Sequence, residues 1–91
     1  MFENKVAYIT GGTKGIGFGT AKVLLENGIS VAFSGRKEQD VKKAEAELKQ
    51  ISENVLGVVS DVRNFQDEEN AVKMTVEKFG RLDYIIANAG L

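Results

Sequence analysis

Short apolar runs alternate along the chain with longer amphipathic stretches, and the two periods define its elements. Lys5-Val6-Ala7-Tyr8-Ile9-Thr10 has the β-branched and aromatic content of a buried parallel strand. Residues 20–27 are helix-forming and close on Gly28, the residue type that most readily ends a helix in the left-handed conformation. Ser30-Val31-Ala32-Phe33-Ser34 reads as a second strand, reached by a connection long enough for a right-handed crossover between parallel neighbours. Past Gly35-Arg36-Lys37, Val41, Ala44, Leu48 and Ile51 recur at spacings of three and four, which predicts an amphipathic helix over about 38–51. Val55-Leu56-Gly57-Val58-Val59 is a third strand, slightly weakened by its glycine. Asn64 is placed to cap a third helix, with Asp67 as the acidic partner of a capping box, an apolar face of Phe65, Val72, Val76 and Phe79, and Gly80 at its end. Asp83-Tyr84-Ile85-Ile86-Ala87 is a fourth strand.

Strands alternating with helices, without repeat, linker or low-complexity segment, predict an α/β layer fold with a parallel sheet. Between the first strand and the first helix lies Thr10-Gly11-Gly12-Thr13-Lys14-Gly15-Ile16-Gly17. A pyrophosphate approaches backbone closely only where no Cβ intrudes, and a helix start offers it orphan N–H groups and the positive end of the dipole. Gly11, Gly15 and Gly17 supply that closeness. The expected architecture is a Rossmann-like doubly wound sheet, partial at four strands in the order 3-2-1-4. Residues 1–91 would form a single dinucleotide-binding half-domain, with the ligand crevice at the carboxyl edge where strands 1 and 4 diverge.

Composition narrows the function classes. With 12 Lys and Arg against 13 Asp and Glu, and no basic run, the chain gives no sign of a nucleic-acid or anionic-membrane partner. It has neither cysteine nor histidine, which removes disulfides, thiolate metal sites and Ser-His or Cys-His chemistry. No apolar run approaches the roughly 20 residues of a membrane span, and Met1-Phe2-Glu3-Asn4-Lys5 does not open a signal peptide, so a cytoplasmic protein is expected.

The spacing Gly11-x-x-x-Gly15-x-Gly17 is wider than the usual G-x-G-x-x-G fingerprint, and the segment resembles the T-G-x-x-x-G-x-G signature of the short-chain dehydrogenase/reductase superfamily, nicotinamide-dependent oxidoreductases. The resemblance runs through essentially the whole chain. At the end of the second strand, where an acid would bond the ribose hydroxyls of NAD, stands Gly35, followed by Arg36, whose planar fork suits a 2′-phosphate. Lys14 and Arg36 match the two basic positions that clasp that phosphate in the family, so NADP(H) is the implied cofactor. Each is also explicable as an ordinary surface cation. Asp61-Val62 resembles the family's aspartate-aliphatic pair beside adenine, although an aspartate after a strand also bonds local backbone. Asn88-Ala89-Gly90 resembles the N-N-A-G segment, with Ala87 in place of its first asparagine. The implied cofactor-binding set is Gly11, Thr13, Lys14, Gly15, Ile16, Gly17, Arg36, Asp61, Val62, Asn88, Ala89 and Gly90. Phe18 reads as a packing residue, with a substrate-side aromatic as the alternative, and Asp67-Glu68-Glu69 as acidic decoration of a helix start.

The family's catalytic serine and Y-x-x-x-K pair have no counterpart here. Tyr8 and Tyr84 lie inside strands, and neither has a lysine four residues on. No catalytic residue is therefore assigned, and the chain is expected to be the cofactor half of a longer protein. The implied activity is hydride transfer between the nicotinamide and a small-molecule carbonyl or alcohol substrate, a 3-oxoacyl thioester first and a 2,4-dienoyl thioester second. A non-catalytic dinucleotide-binding or redox-sensing module is the alternative. The apolar edge of strand 4 is expected to be covered, by a second copy in a homo-oligomer or by further chain.

Overall fold

A computed structural model describes residues 4–88. The elements follow one another as β1 (Val6–Thr10), α1 (Gly15–Glu26), β2 (Ser30–Gly35), α2 (Glu38–Leu48), β3 (Val55–Val59), α3 (Phe65–Phe79) and β4 (Tyr84–Ala87). The four strands form one parallel sheet in the order β3-β2-β1-β4, the Rossmann-like arrangement that the alternation implied. None of these helices is long and apolar enough to cross a membrane.

The pleat of β1 divides the core. Ile9, with Val31 and Phe33 of β2, faces Ala21 and Leu25 of α1 and Val41, Ala44 and Leu48 of α2. Tyr8 and Ala32 face the other way, onto Ala71 of α3, with Val58 beside them. Covered on both faces, every residue of β1 is buried, which is why its sequence is apolar without alternation. Phe18 packs half-buried against the first of these clusters.

Helix bounds shift wherever packing outweighs local preference. α1 begins at Gly15, five residues before its helix-forming stretch, because Gly17 is buried beneath the glycine turn. α2 ends at Leu48 and not at Ile51. Its last carbonyls are met by tighter turn bonds, from Gln50 N–H to Glu47 O and from Ile51 N–H to Leu48 O, and Ile51 lies exposed beyond them. On α3 the expected apolar face is rotated. Ala71 and Thr75 are buried and Val72 and Phe79 pack beside them, whereas Phe65 is 80% exposed and Val76 turns outward. The inward position one turn before Ala71 belongs instead to Glu68, which finds hydrogen-bond partners there.

Two further expectations are revised. Asn64 does cap α3, its Oδ1 accepting from the Asp67 N–H at 3.1 Å. The Asp67 carboxylate does not return the bond, however; it accepts from the Asp61 N–H at 3.2 Å, while the Asn64 N–H donates to the Asp61 carbonyl. Gly57, read as a weakness, makes room: a Cβ there would sit 2.7 Å from Val41 and 3.0 Å from the Phe33 ring. Its N–H, on the outer side of an edge strand, donates to the Glu45 carboxylate at 2.6 Å, so a helix side chain covers that edge. At the opposite edge, the start of β4 is pinned by Asp83, whose carboxylate accepts from the Val6 N–H at 2.8 Å and pairs with Arg81.

Candidate functional site

Three successive chain reversals at the carboxyl ends of β1, β2 and β3 surround an open cleft of about 500 Å³. The first wall is the glycine turn. Gly11 and Gly15 hold φ of 71° and 65°, the left-handed region where a Cβ is strained. Among the described residues outside its own helix turn, nothing lies within 4 Å of where a Gly15 Cβ would be, so that side of it is open. Gly17 works differently. A Cβ there would stand 2.5 Å from the Gly11 carbonyl oxygen and 2.7 Å from Asn88 Nδ2, so this glycine lets helix, turn and strand end close on one another. Asn88 completes that junction: its Nδ2 donates to the Gly11 carbonyl at 3.1 Å and its N–H to Thr10 Oγ1 at 2.9 Å.

α1 starts without help from its own side chains. Lys14 occupies the N-cap in an extended conformation and makes no side-chain cap, and the first turn carries no acid. Its orphan N–H groups and the positive end of its dipole are thus left to an external anion. α3, by contrast, is closed by Asn64. Left-handed glycines, an uncapped helix start and a neighbouring lysine fit a nucleotide pyrophosphate.

The second wall follows β2, where Gly35 and Arg36 line the cleft with Thr13 and Lys14. Gly35 is there for space, because a Cβ would collide with the Thr13 methyl and lie 3.0 Å from Val41. The third wall, after β3, carries Asp61 and Val62. Asp61 accepts from the Arg63 N–H at 2.9 Å and from its guanidinium at 3.1 and 2.9 Å. The Arg63 guanidinium, then its backbone N–H, and finally the charge of Arg36 hold the carboxyl down at about 2, so it is an ionised acceptor at any physiological pH.

Of the residues singled out from sequence, Gly11, Thr13, Lys14, Arg36, Asp61, Val62 and Asn88 therefore meet around one cleft. Gly15 lies beside it, against a second depression shared with Lys14 and Phe18. Gly17 lies beneath the turn, and Ile16 points outward, 82% exposed. Ala89 and Gly90 fall outside the described residues. Sequence reading passed over Gly12, which is buried where a Cβ would meet Phe33 at 2.6 Å, and Ser34, Ser60, Lys37 and Asp40, which also line the cleft. For Lys37 and Ser60 the available signal was their position within two residues of the ends of strands 2 and 3.

Glu68 departs most from expectation. It is no surface decoration: the Tyr8 hydroxyl donates to its carboxylate at 2.9–3.0 Å and the Ser60 hydroxyl at 2.5 Å. Burial, opposed by the Ser34 hydroxyl and reinforced by Glu68, pushes the Tyr8 phenol well above its ordinary value. The unfolded chain would release this proton near pH 10 and the folded one would hold it. Tyr8's contribution to stability is therefore complete below pH 10 and lost as pH rises above it. Urea unfolding between pH 8 and 11.5 is expected to show this alkaline loss in the native protein and a shallower one in Tyr8→Phe; identical slopes would remove the linkage.

The family model for short chain dehydrogenases matches residues 5–91, and the chain belongs to that family. It is 42% identical over 88 residues to tropinone reductase-like 3 of Erythroxylum coca, covering 97% of this chain and 34% of that protein. It is 40% identical over 93 residues to the peroxisomal 2,4-dienoyl-CoA reductase of Saccharomyces cerevisiae, covering 98% and 32% respectively. The crystal structure of an NAD⁺-bound xylitol dehydrogenase superposes with a TM-score of 0.91 at 31% identity, over 99% of this chain and 36% of the other. The chain thus spans about a third of the length of the curated relatives it matches.

Proposed function

We propose that the chain is the cofactor-binding part of an NADP(H)-dependent oxidoreductase acting on a small carbonyl or alcohol substrate. The observation that carries this reading is the convergence of an uncapped α1 start, left-handed Gly11, Lys14 and Arg36 on one cleft, with left-handed Gly15 beside it. The glycine turn and α1 would hold the pyrophosphate, Lys14 and Arg36 the 2′-phosphate, and Asp61 with Val62 the adenine. The nicotinamide, when bound, supplies the hydride. The xylitol dehydrogenase neighbour holds NAD⁺, so the choice of NADP(H) rests on this chain's own Gly35-Arg36 and Lys14.

For substrate, the reading keeps a 3-oxoacyl thioester first and a 2,4-dienoyl thioester second, the latter supported by the yeast relative. Assaying the intact protein with both thioester classes and NADPH distinguishes them, and turnover of neither would remove the thioester reading. The 91 residues alone contain no Tyr-x-x-x-Lys pair and no histidine to accompany hydride transfer with a proton. Purified on their own, they are expected to show no ketone-dependent NADPH oxidation, and a rate above the protein-free background would overturn that.

Tyr84 and Ile85 on the outer edge of β4 are 42% and 62% exposed, beside an apolar groove formed with Leu24 and Ile29. We expect this edge to be covered in solution, by a second copy or by further chain. Sedimentation of the 91 residues should show self-association. A monodisperse, cooperatively unfolding monomer would refute it.

A further inference from the structure

We propose that Glu68, with Tyr8 and Ser60, is a positioning residue that sets the adenosine side of the cleft, a role resting on the reading of Asp61-Val62 as the adenine border. A carboxylate turned in between a sheet and a helix is costly unless hydrogen bonded, and Glu68 meets that cost by accepting from the Tyr8 and Ser60 hydroxyls. The hydrogen bonds that satisfy it lead to the cleft.

Ser60, 3% exposed, is the residue before Asp61, and its hydroxyl donates to Glu68. The neighbouring Asp67 accepts from the Asp61 N–H. Two consecutive carboxylates at the start of α3 thus grip two consecutive residues of the loop that presents Asp61 and Val62. The same Glu68 carboxylate takes the Tyr8 hydroxyl on β1. Separately, Ser34 Oγ at the end of β2 accepts from the Gly11 N–H at 3.4 Å. A hydrogen-bonded line therefore runs from β1, whose end carries the glycine turn, through α3 to the adenine-side loop. It links two walls of the cleft beneath the space the nucleotide would fill, and fixes their separation.

The test uses the intact protein and two half-ligands, 2′,5′-ADP and nicotinamide mononucleotide, titrated calorimetrically into Tyr8→Phe, Glu68→Leu and Glu68→Gln. Tyr8→Phe and Glu68→Leu are expected to weaken 2′,5′-ADP at least about fivefold, the scale of one hydrogen bond, with nicotinamide mononucleotide changed less than about twofold. KM for NADPH should rise by the same factor at constant kcat. Glu68→Gln, which keeps an acceptor oxygen, should recover most of the loss. Tyr8→Phe removes a single oxygen and keeps the test open if Glu68→Leu fails to fold. Lower melting temperatures with unchanged 2′,5′-ADP affinity, or equal losses for both half-ligands, would overturn the proposal. Asp61→Ala separates the two claims. If it weakens 2′,5′-ADP while the three variants do not, only the positioning role fails; if it has no effect, the adenine reading fails and takes this role with it.

Discussion

Replacing Arg36 with alanine is expected to lower the affinity of the intact protein for NADPH at least about tenfold while leaving NADH nearly unchanged. Loss of one charge-assisted contact is worth roughly 1.5–3 kcal/mol, and each 1.4 kcal/mol is a factor of about ten in binding. Arg36 is exposed at the rim, so the effect should be largest in low salt and shrink as screening increases. Lys14→Ala should act in the same direction, and the two together should bring the ratio of NADPH to NADH affinity close to one. Parallel titrations with both cofactors decide the matter, and a ratio untouched by Arg36→Ala would end the case for NADP(H). The reverse engineering is sterically blocked at Gly35. An aspartate placed there to bond a ribose would drive its Cβ into the Thr13 methyl, so Gly35→Asp should lose NADPH without gaining NADH unless Thr13 is also reduced in size.

The second large effect lies beneath the turn. Gly17→Ala would put a methyl 2.5 Å from the Gly11 carbonyl oxygen and 2.7 Å from Asn88 Nδ2, and backbone cannot yield as a flexible side chain does. Displacing Asn88 breaks its bond to Gly11 and shifts the turn, so a destabilisation of about 1–3 kcal/mol is expected. Affinity for either dinucleotide should fall by more than about tenfold, since displacement spreads over every N–H facing the pyrophosphate. Gly19→Ala is the control. Among the described residues no atom outside its own helix turn lies within 4 Å of its Cβ position, and alanine favours the helix, so it should leave stability equal or higher. If Gly17→Ala behaves like Gly19→Ala in urea unfolding and cofactor titration, the close packing at Gly17 has no energetic weight.

The fold was legible because its signals are local and agree with one another. Val6 to Ile9 and Val31 to Phe33 are apolar without alternation, as strands covered on both faces must be, and the intervening helical periods leave parallel pairing as the only short solution. The glycine turn was legible for a similar reason, since a left-handed backbone at Gly11 and Gly15 admits few other residues. Family signature and strand-turn-helix context then pointed to the same eight residues.

Orientation around a helix axis and mutual approach of distant segments were not legible. Phe65 and Val76 satisfy a helical period with Val72 and Phe79, yet α3 buries the Ala71–Thr75 line, and on that inward side Glu68 accepts from the Tyr8 and Ser60 hydroxyls. An acidic run at a helix start looks like dipole decoration until a phenol sixty positions away in sequence is found beneath it. Likewise the spacing of the glycines does not reveal that Gly17 serves a contact with Asn88 while Gly15 faces open space. By itself, then, the sequence determined the alternation of elements and the place of the glycine turn, which follow from periodicity and backbone freedom, and the order β3-β2-β1-β4 followed from the nucleotide-binding half that these features define. Which glycine is packed and which is open, which acid is turned inward, and how Lys14, Arg36 and Asp61 come to one cleft were decided by the tertiary structure alone, because these depend on contacts between segments far apart in the chain.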